Sequence, residues 1–148
     1  MNVRPIAQVG IVLGQRTQTF YRQPGEGDAG EHVQGYYSAL LEGRHTFGFI
    51  HEDDLRPESA GRYAALILPN VAFLSDAQCR QLEAYSRAGG SLLAEFETSL
   101  YDERGNARSD FGLAALFGIG KTGARAGSRG FENSFYARIE RQHEILAG

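Results

Sequence analysis

The chain has 148 residues, 42% hydrophobic and 22% charged, which suits one domain with one sizeable core. Its net charge of −3 argues against a general electrostatic grip on nucleic acid, and no apolar run approaches the roughly 20 residues that cross a membrane. The single cysteine, Cys79, rules out an internal disulfide.

The amino terminus runs almost directly into a strand and has no signal-peptide apolar core, so the expected location is the cytoplasm, for a stand-alone chain or an excised domain. Residues 6–13 form a short, nearly continuous apolar run rich in β-branched side chains, as buried parallel strands tend to be. A polar, glycine-rich stretch over residues 14–30 reads as a long loop. Val33, Tyr36, Tyr37, Leu40 and Leu41 then fall on one face of a helix over residues 31–43, with Gly43 at its carboxyl end. Residues 45–50 read as a second strand, followed by the acidic turn Glu52-Asp53-Asp54.

Residues 63–68 read as a third strand, stopped by Pro69-Asn70. Ser75 and Gln78 stand at capping-box spacing, opening a helix that carries Cys79, Leu82 and Tyr85 inward and ends at Gly89-Gly90. A fourth strand covers residues 91–96, and Asp110 is placed to cap a short helix over residues 111–117. Strands alternating with helices imply crossover connections and a mostly parallel sheet with helices on both faces. Beyond Gly118 the reading is a glycine- and arginine-rich loop over residues 120–130, then an alternating, strand-like run over residues 134–139.

The loop after the carboxyl end of a central strand is where open α/β sheets mount ligands and nucleophiles. After the fourth strand stand Glu95, Phe96, Glu97, Thr98 and Ser99, with neither a cysteine nor a G-x-S-x-G elbow. Glu95 and Glu97 lie on one side of an extended segment, whereas glycoside hydrolysis needs its two carboxylates across a sugar, roughly 5 to 10 Å apart. A structural role is expected for them: capping a helix, or pairing with Arg104 or Arg108. Cys79, on an inward helix face, reads as an inert buried thiol. Residues 115–122 match a relaxed phosphate-loop string, but the string follows a helix instead of opening one. The histidines show no metal-ligand spacing, and His51 beside three acidic residues reads as a solvated turn.

The succession Tyr63-Ala64-Ala65-Leu66-Ile67-Leu68-Pro69-Asn70, Leu74-Ser75-Asp76, Ala88-Gly89-Gly90-Ser91-Leu92-Leu93-Ala94, Asp102-Glu103 and Phe111-Gly112-Leu113-Ala114-Ala115-Leu116-Phe117-Gly118 resembles the beta-galactosidase trimerisation domain of family 42 glycoside hydrolases. The Tyr36-Tyr37-Ser38-Ala39-Leu40 helix fits as well, and the resemblance covers roughly residues 5 to 118. It implies a flavodoxin-like, class I glutamine amidotransferase-like three-layer sandwich. Amidotransferases carry a cysteine at the turn where this chain has Glu95-Phe96-Glu97, so their chemistry is not implied.

The implied role is assembly. The domain would form a homo-oligomer, a trimer being favoured, pack against the catalytic barrel of a parent protein, and help wall a carbohydrate site. Such a barrel needs about 250 residues and cannot fit in this chain. The expectation is one domain over residues 1–148, with residues 119–148 as an extension of it. It carries no catalytic residues, no cofactor and no metal, and its candidate ligand or interface surface is Glu97, Tyr101, Asp102, Glu103 and Arg104. The rival readings are a small-molecule or sugar-binding domain lidded by residues 14–30, and a divergent hydrolase using Ser99 or Cys79.

Overall fold

The computed structural model describes residues 7–21, 28–123 and 142. Strands β1 (Val9–Leu13), β2 (Phe47–His51), β3 (Ala65–Leu68) and β4 (Ser91–Ala94) form a wholly parallel sheet in the order β2-β1-β3-β4. That is the strand order of flavodoxin-like sheets, with its switch point between β1 and β3. Helices α1 (Gln15–Phe20), α2 (Ala29–Glu42), α3 (Pro57–Ala60), α4 (Asp76–Arg87) and α5 (Ala114–Phe117) occupy the connections and flank the sheet. The α/β sandwich expected from the sequence is the fold observed. The strand-like run over residues 134–139 and the loop over residues 124–130 lie outside the described residues, and no described helix is long and apolar enough to cross a membrane.

Register divides the apolar residues between two faces. Val12, Ile50, Leu66 and Leu68 point to one side, where Leu55, Ala60, Cys79, Leu82 and Tyr85 close the main core against them. On the other side Phe49, Ile11, Ile67 and Leu93 make a single row across all four strands. Helix α2 covers this face, with Tyr37 stacked on Phe49 and edge-on to Phe47.

Helix α4 keeps the boundaries its local chemistry dictates. Ser75 accepts from the Gln78 backbone N–H at 3.2 Å, and the Gln78 carboxamide oxygen accepts from the Ser75 N–H at 2.8 Å, completing the capping box. The Gln78 amide nitrogen also donates to the Glu52 carbonyl at 2.8 Å, which ties α4 to the end of β2. Ser75→Ala should cost about 1 kcal/mol, read as a lowered urea midpoint at unchanged slope; an unmoved midpoint would show that the cap contributes nothing here. At the other end Gly89 donates to the Ser86 carbonyl and Gly90 to the Tyr85 carbonyl, the paired bonds of a Schellman motif, with Gly89 left-handed at φ 98.

Three sequence expectations are corrected, and that for Gly43 is met. Part of the glycine-rich stretch is helical: Gln15–Phe20 forms α1, held from outside because Thr17 Oγ1 accepts from the Phe73 N–H at 3.1 Å. The step from β2 to β3 is not a bare acidic turn; a 3-10 turn at Glu52–Asp54 and α3 carry the chain across, as a parallel pair requires. Gly43 stands at the carboxyl end of α2, as expected, with φ −71, and Arg44 after it takes φ 56. A Cβ at position 43 would meet His45 Cδ2 at 2.8 Å, so crowding, not handedness, favours glycine there. Finally, Asp110 does not cap α5, which starts later with Leu113 at its cap; Asp110 Oδ1 accepts from the N–H groups of Phe111 and Lys121, each at 2.8 Å.

Candidate functional site

The buried polar residues Thr17, Glu52, Asn70, Gln78, Glu97, Thr98 and Ser99 all gather at the carboxyl edge of the sheet, in or beside the loops that leave its strands. Polar groups out of water must be hydrogen-bonded to be tolerated, so their concentration here marks loops held in one conformation. Asn70, Phe96 and Ser99 also have positive φ, at 45, 53 and 67. Strained backbone of this kind persists only where surrounding contacts fix it.

Those contacts run between the loops after β3 and β4. Thr98 Oγ1 accepts from the Val71 N–H at 3.1 Å, and its hydroxyl proton lies between the Leu68 and Glu95 carbonyls at 3.2 and 2.8 Å. The Ser99 N–H donates to the Val71 carbonyl at 2.9 Å, and the Tyr101 N–H to the Ala72 carbonyl at 3.0 Å. Ser99 Oγ accepts from the Leu113 N–H at 3.1 Å and is fully buried. Burial pushes the Cys79 thiol up to about 11. Both groups considered for a divergent hydrolase are buried, Ser99 against the inner wall of the groove described below.

The two glutamates have partners that sequence reasoning missed. Neither pairs with Arg104 or Arg108 and neither caps a helix; Arg108 binds Asp76 at 2.6 Å and the Leu74 carbonyl at 2.9 Å instead. Glu97 is buried and accepts from the Tyr21 hydroxyl at 2.7 Å and, more weakly, from Tyr101 at 3.4 Å. Tyr21, Phe73 and Tyr101 pack edge to face around it. Glu95 meets His32 Nδ1 at 2.7 Å and the Tyr36 hydroxyl at 3.3 Å, and His32 stacks on Phe96. Burial, together with the Glu95 charge, pushes the Tyr36 phenol up to about 12. The closest partners, His32 of Glu95 and Tyr21 of Glu97, lie 63 and 76 residues away in the chain, so no local spacing could have revealed them.

Of the other candidates, Asp102 is used within its own turn. Its carboxylate accepts from the N–H groups of Arg104 and Asn106 at 2.9 and 2.8 Å and from the Asn106 amide at 2.8 Å, which holds its pKa below the ordinary carboxylate value. Glu103 and Arg104 are exposed, and Tyr101 is half-buried. The loop therefore offers Glu103 and Arg104 outward, with Tyr101 half-buried against Tyr21 and Phe73, while Glu97 and Asp102 shape it.

Two further features complete this edge. Arg16 binds Glu52 at 2.9 Å and Asp53 at 2.7 Å, and burial still pushes the Glu52 carboxyl above its usual range. His51 accepts from the Asp53 N–H at 3.2 Å, so its Nε2 carries the proton donated to Gln15 at 2.9 Å. Among the described residues no three His, Cys, Asp or Glu side chains come together as a metal site. Beyond β4 a groove of 210 Å³ opens between Ala94, Phe96, Phe111, Phe117 and Ile119. That is below the roughly 300 Å³ at which small-ligand sites begin, which weighs against the small-molecule reading for this groove.

Comparison with known proteins matches residues 7–123 to the beta-galactosidase trimerisation domain model. The beta-galactosidase from Bifidobacterium adolescentis superposes with a TM-score of 0.67 at 18% identity, over 77% of this chain and 54% of that one. Gan42B, a GH42 beta-galactosidase, superposes with a TM-score of 0.58 at 18% identity, over 69% of this chain and 15% of that one. A catalytic mutant of Gan42B from G. stearothermophilus gives a TM-score of 0.59 over the same shares. The chain thus spans about half of the first structure and a small part of the others. No curated protein matches it.

Proposed function

We propose that this chain, which belongs to the beta-galactosidase trimerisation domain family, serves as a non-catalytic assembly domain. It packs against further copies of itself and against the catalytic barrel of a beta-galactosidase-like glycoside hydrolase in the cytoplasm. The observation that carries this reading is the extent of the family match, residues 7–123, which takes in every described strand and helix. The burial of Ser99 and Cys79 supports a domain without a nucleophile of its own. Residues 1–148 act as one domain in this reading.

The finer proposal concerns the loop after β4. Tyr101, Glu103 and Arg104 wall the carbohydrate site of a neighbouring barrel, with Glu97 and Asp102 holding the loop in shape. An aromatic ring beside charged groups is chemically suited to a sugar, which offers an apolar face and a rim of hydroxyls.

Sedimentation equilibrium over a range of concentrations tests the assembly role. The expected mass is about three times the 16.2 kDa of the chain. A strict monomer at every concentration overturns self-assembly by this domain. For the loop, Glu97→Ala and Asp102→Ala in the parent glycosidase should lower activity or loosen the oligomer. If both variants keep wild-type assembly and activity, the loop has no part in either.

A further inference from the structure

We propose that α1 is a strap across the carboxyl edge of the sheet, hooked at one end on the buried Glu52 carboxyl and drawn tighter when that carboxyl takes up a proton. This inference stands on the geometry of the edge and does not need the assembly reading.

Helix α1 has little of its own to hold it. It is six residues long, far short of the roughly 12–15 at which an isolated helix is even marginal. Its N-cap, Gly14, has no side chain to offer, and its only buried residue is the polar Thr17. Phe20, the apolar residue it carries, is 70% exposed. Polar anchors from outside hold it instead. Glu52 Oε1 accepts from the Arg16 N–H at 3.0 Å and so caps the first turn from 36 residues away. Thr17 binds the loop after β3, and Tyr21, directly after the helix, binds Glu97 after β4. Strands β2 and β4 are the outer strands of the described sheet, so α1 and Tyr21 join one side of it to the other. An element with few buried apolar contacts opens locally before the whole fold does.

The hook at Glu52 responds to protons. Glu52 is fully buried, and only one of its oxygens is matched. Oε1 takes the N–H and Nη1 of Arg16, while Oε2 has no hydrogen-bond partner among the described residues. An ionised carboxyl enclosed with an unmatched oxygen is costly, a neutral one much less so. The charged or titratable groups that face it are Arg16 from α1 and His51 and Asp53 from the end of β2; α4 contributes the neutral Gln78. Burial outweighs the attraction of Arg16, so the folded carboxyl holds its proton above the ordinary range. Lifting α1 takes Arg16 away and lets water reach Glu52, which returns it to an ordinary carboxyl. The closed strap therefore binds the proton more tightly than the open one. Closure is strongest below the ordinary value of 4.5 and weakens as pH rises through the raised one.

Amide exchange of Arg16, Gln18 and Tyr21, corrected for the intrinsic rate, follows the opening of α1. In the wild-type chain these amides should exchange faster than those of β3 at every pH, as a local opening requires. Their protection should drop severalfold between pH 4.5 and neutrality. The carbon-13 shift of the Glu52 carboxyl should titrate with the same midpoint. Glu52→Gln should flatten the curve. His51→Gln, which removes the other facing group of a kind that changes charge near neutral pH, should leave it. Protection independent of pH, a Glu52 titration with a different midpoint, or a curve flattened by His51→Gln overturns the proposal. If Glu52→Gln fails to fold, the wild-type curve and the carboxyl titration still decide.

Discussion

Gly90→Ala is expected to cost about 3 kcal/mol, the upper part of the usual range for overpacking a core. A Cβ at position 90 would lie 2.2 Å from Tyr85 Cζ and 2.3 Å from Cε1, so the ring rests flat against the glycine. Tyr85 is buried in the main core, and its hydroxyl donates to the Tyr63 carbonyl at 3.0 Å. The ring cannot tilt away without losing both. The backbone cannot yield either, because the next residue, Ser91, begins β4 and donates to the Ala64 carbonyl at 3.0 Å. Domains of this kind have only about 5–15 kcal/mol in all, so the variant should be partly unfolded well before the wild type in urea.

Gly89→Ala is the control. It has φ 98 and open space around its Cβ, so only the left-handed cost of about 1–2 kcal/mol applies. Equal midpoints for the two variants would show that Tyr85 does not depend on Gly90.

The second large effect is expected from Tyr21→Phe. It keeps the ring contacts with Phe73 and Tyr101 but removes the 2.7 Å hydrogen bond to the buried Glu97 carboxylate. Hydrogen bonds to charged groups contribute about 1.5–3 kcal/mol, and a buried acceptor left short of a donor is costly. Tyr101, at 3.4 Å, offsets this only in part. Glu97→Gln, which keeps an acceptor oxygen, should cost less.

The effect also has a pH signature. Burial, and then the hydrogen bond to Glu97, raise the Tyr21 phenol well above its ordinary value of 10. A phenol with a raised folded pKa holds its proton longer in the folded state than in the unfolded state. Its stabilisation is present below pH 10 and fades as pH climbs from there towards the folded value. Tyr36 and Tyr85 are shifted the same way, so wild-type stability should fall at alkaline pH through several groups. Tyr21→Phe should fall less steeply; equal slopes for the two proteins would remove Tyr21 from the account.

What could be read from the sequence was what short-range chemistry decides. The Ser75–Gln78 box, the inward faces of α4 and the alternation of strands and helices all depend on residues a few positions apart. What escaped depends on distant partners. Helix α1 is short and polar, and its buried Thr17 is fixed by Phe73, 56 residues away. At the end of α2 it is Arg44, the residue after Gly43, that takes the left-handed position. The pair Glu95 and Glu97 was legible as structural, but the arginines expected for them were wrong. Burial favoured a tyrosine hydroxyl for Glu97, which satisfies the carboxylate without bringing a second full charge into the interior, while the half-exposed Glu95 meets His32 and Tyr36.

The sheet order has a consequence in time. The central strand β1 is synthesised first, yet its neighbours are β2 and β3, which end at residues 51 and 68. At about 5–20 residues per second, a nascent chain carries the apolar run of β1 for several seconds before β3 exists to pair with it. Every strand contact is long-range, so none can form as a local hairpin that would shelter β1 sooner. The slow, exposed phase of this protein's life is therefore the interval before β3 emerges, and holdase chaperones should engage the chain there more than at any later length.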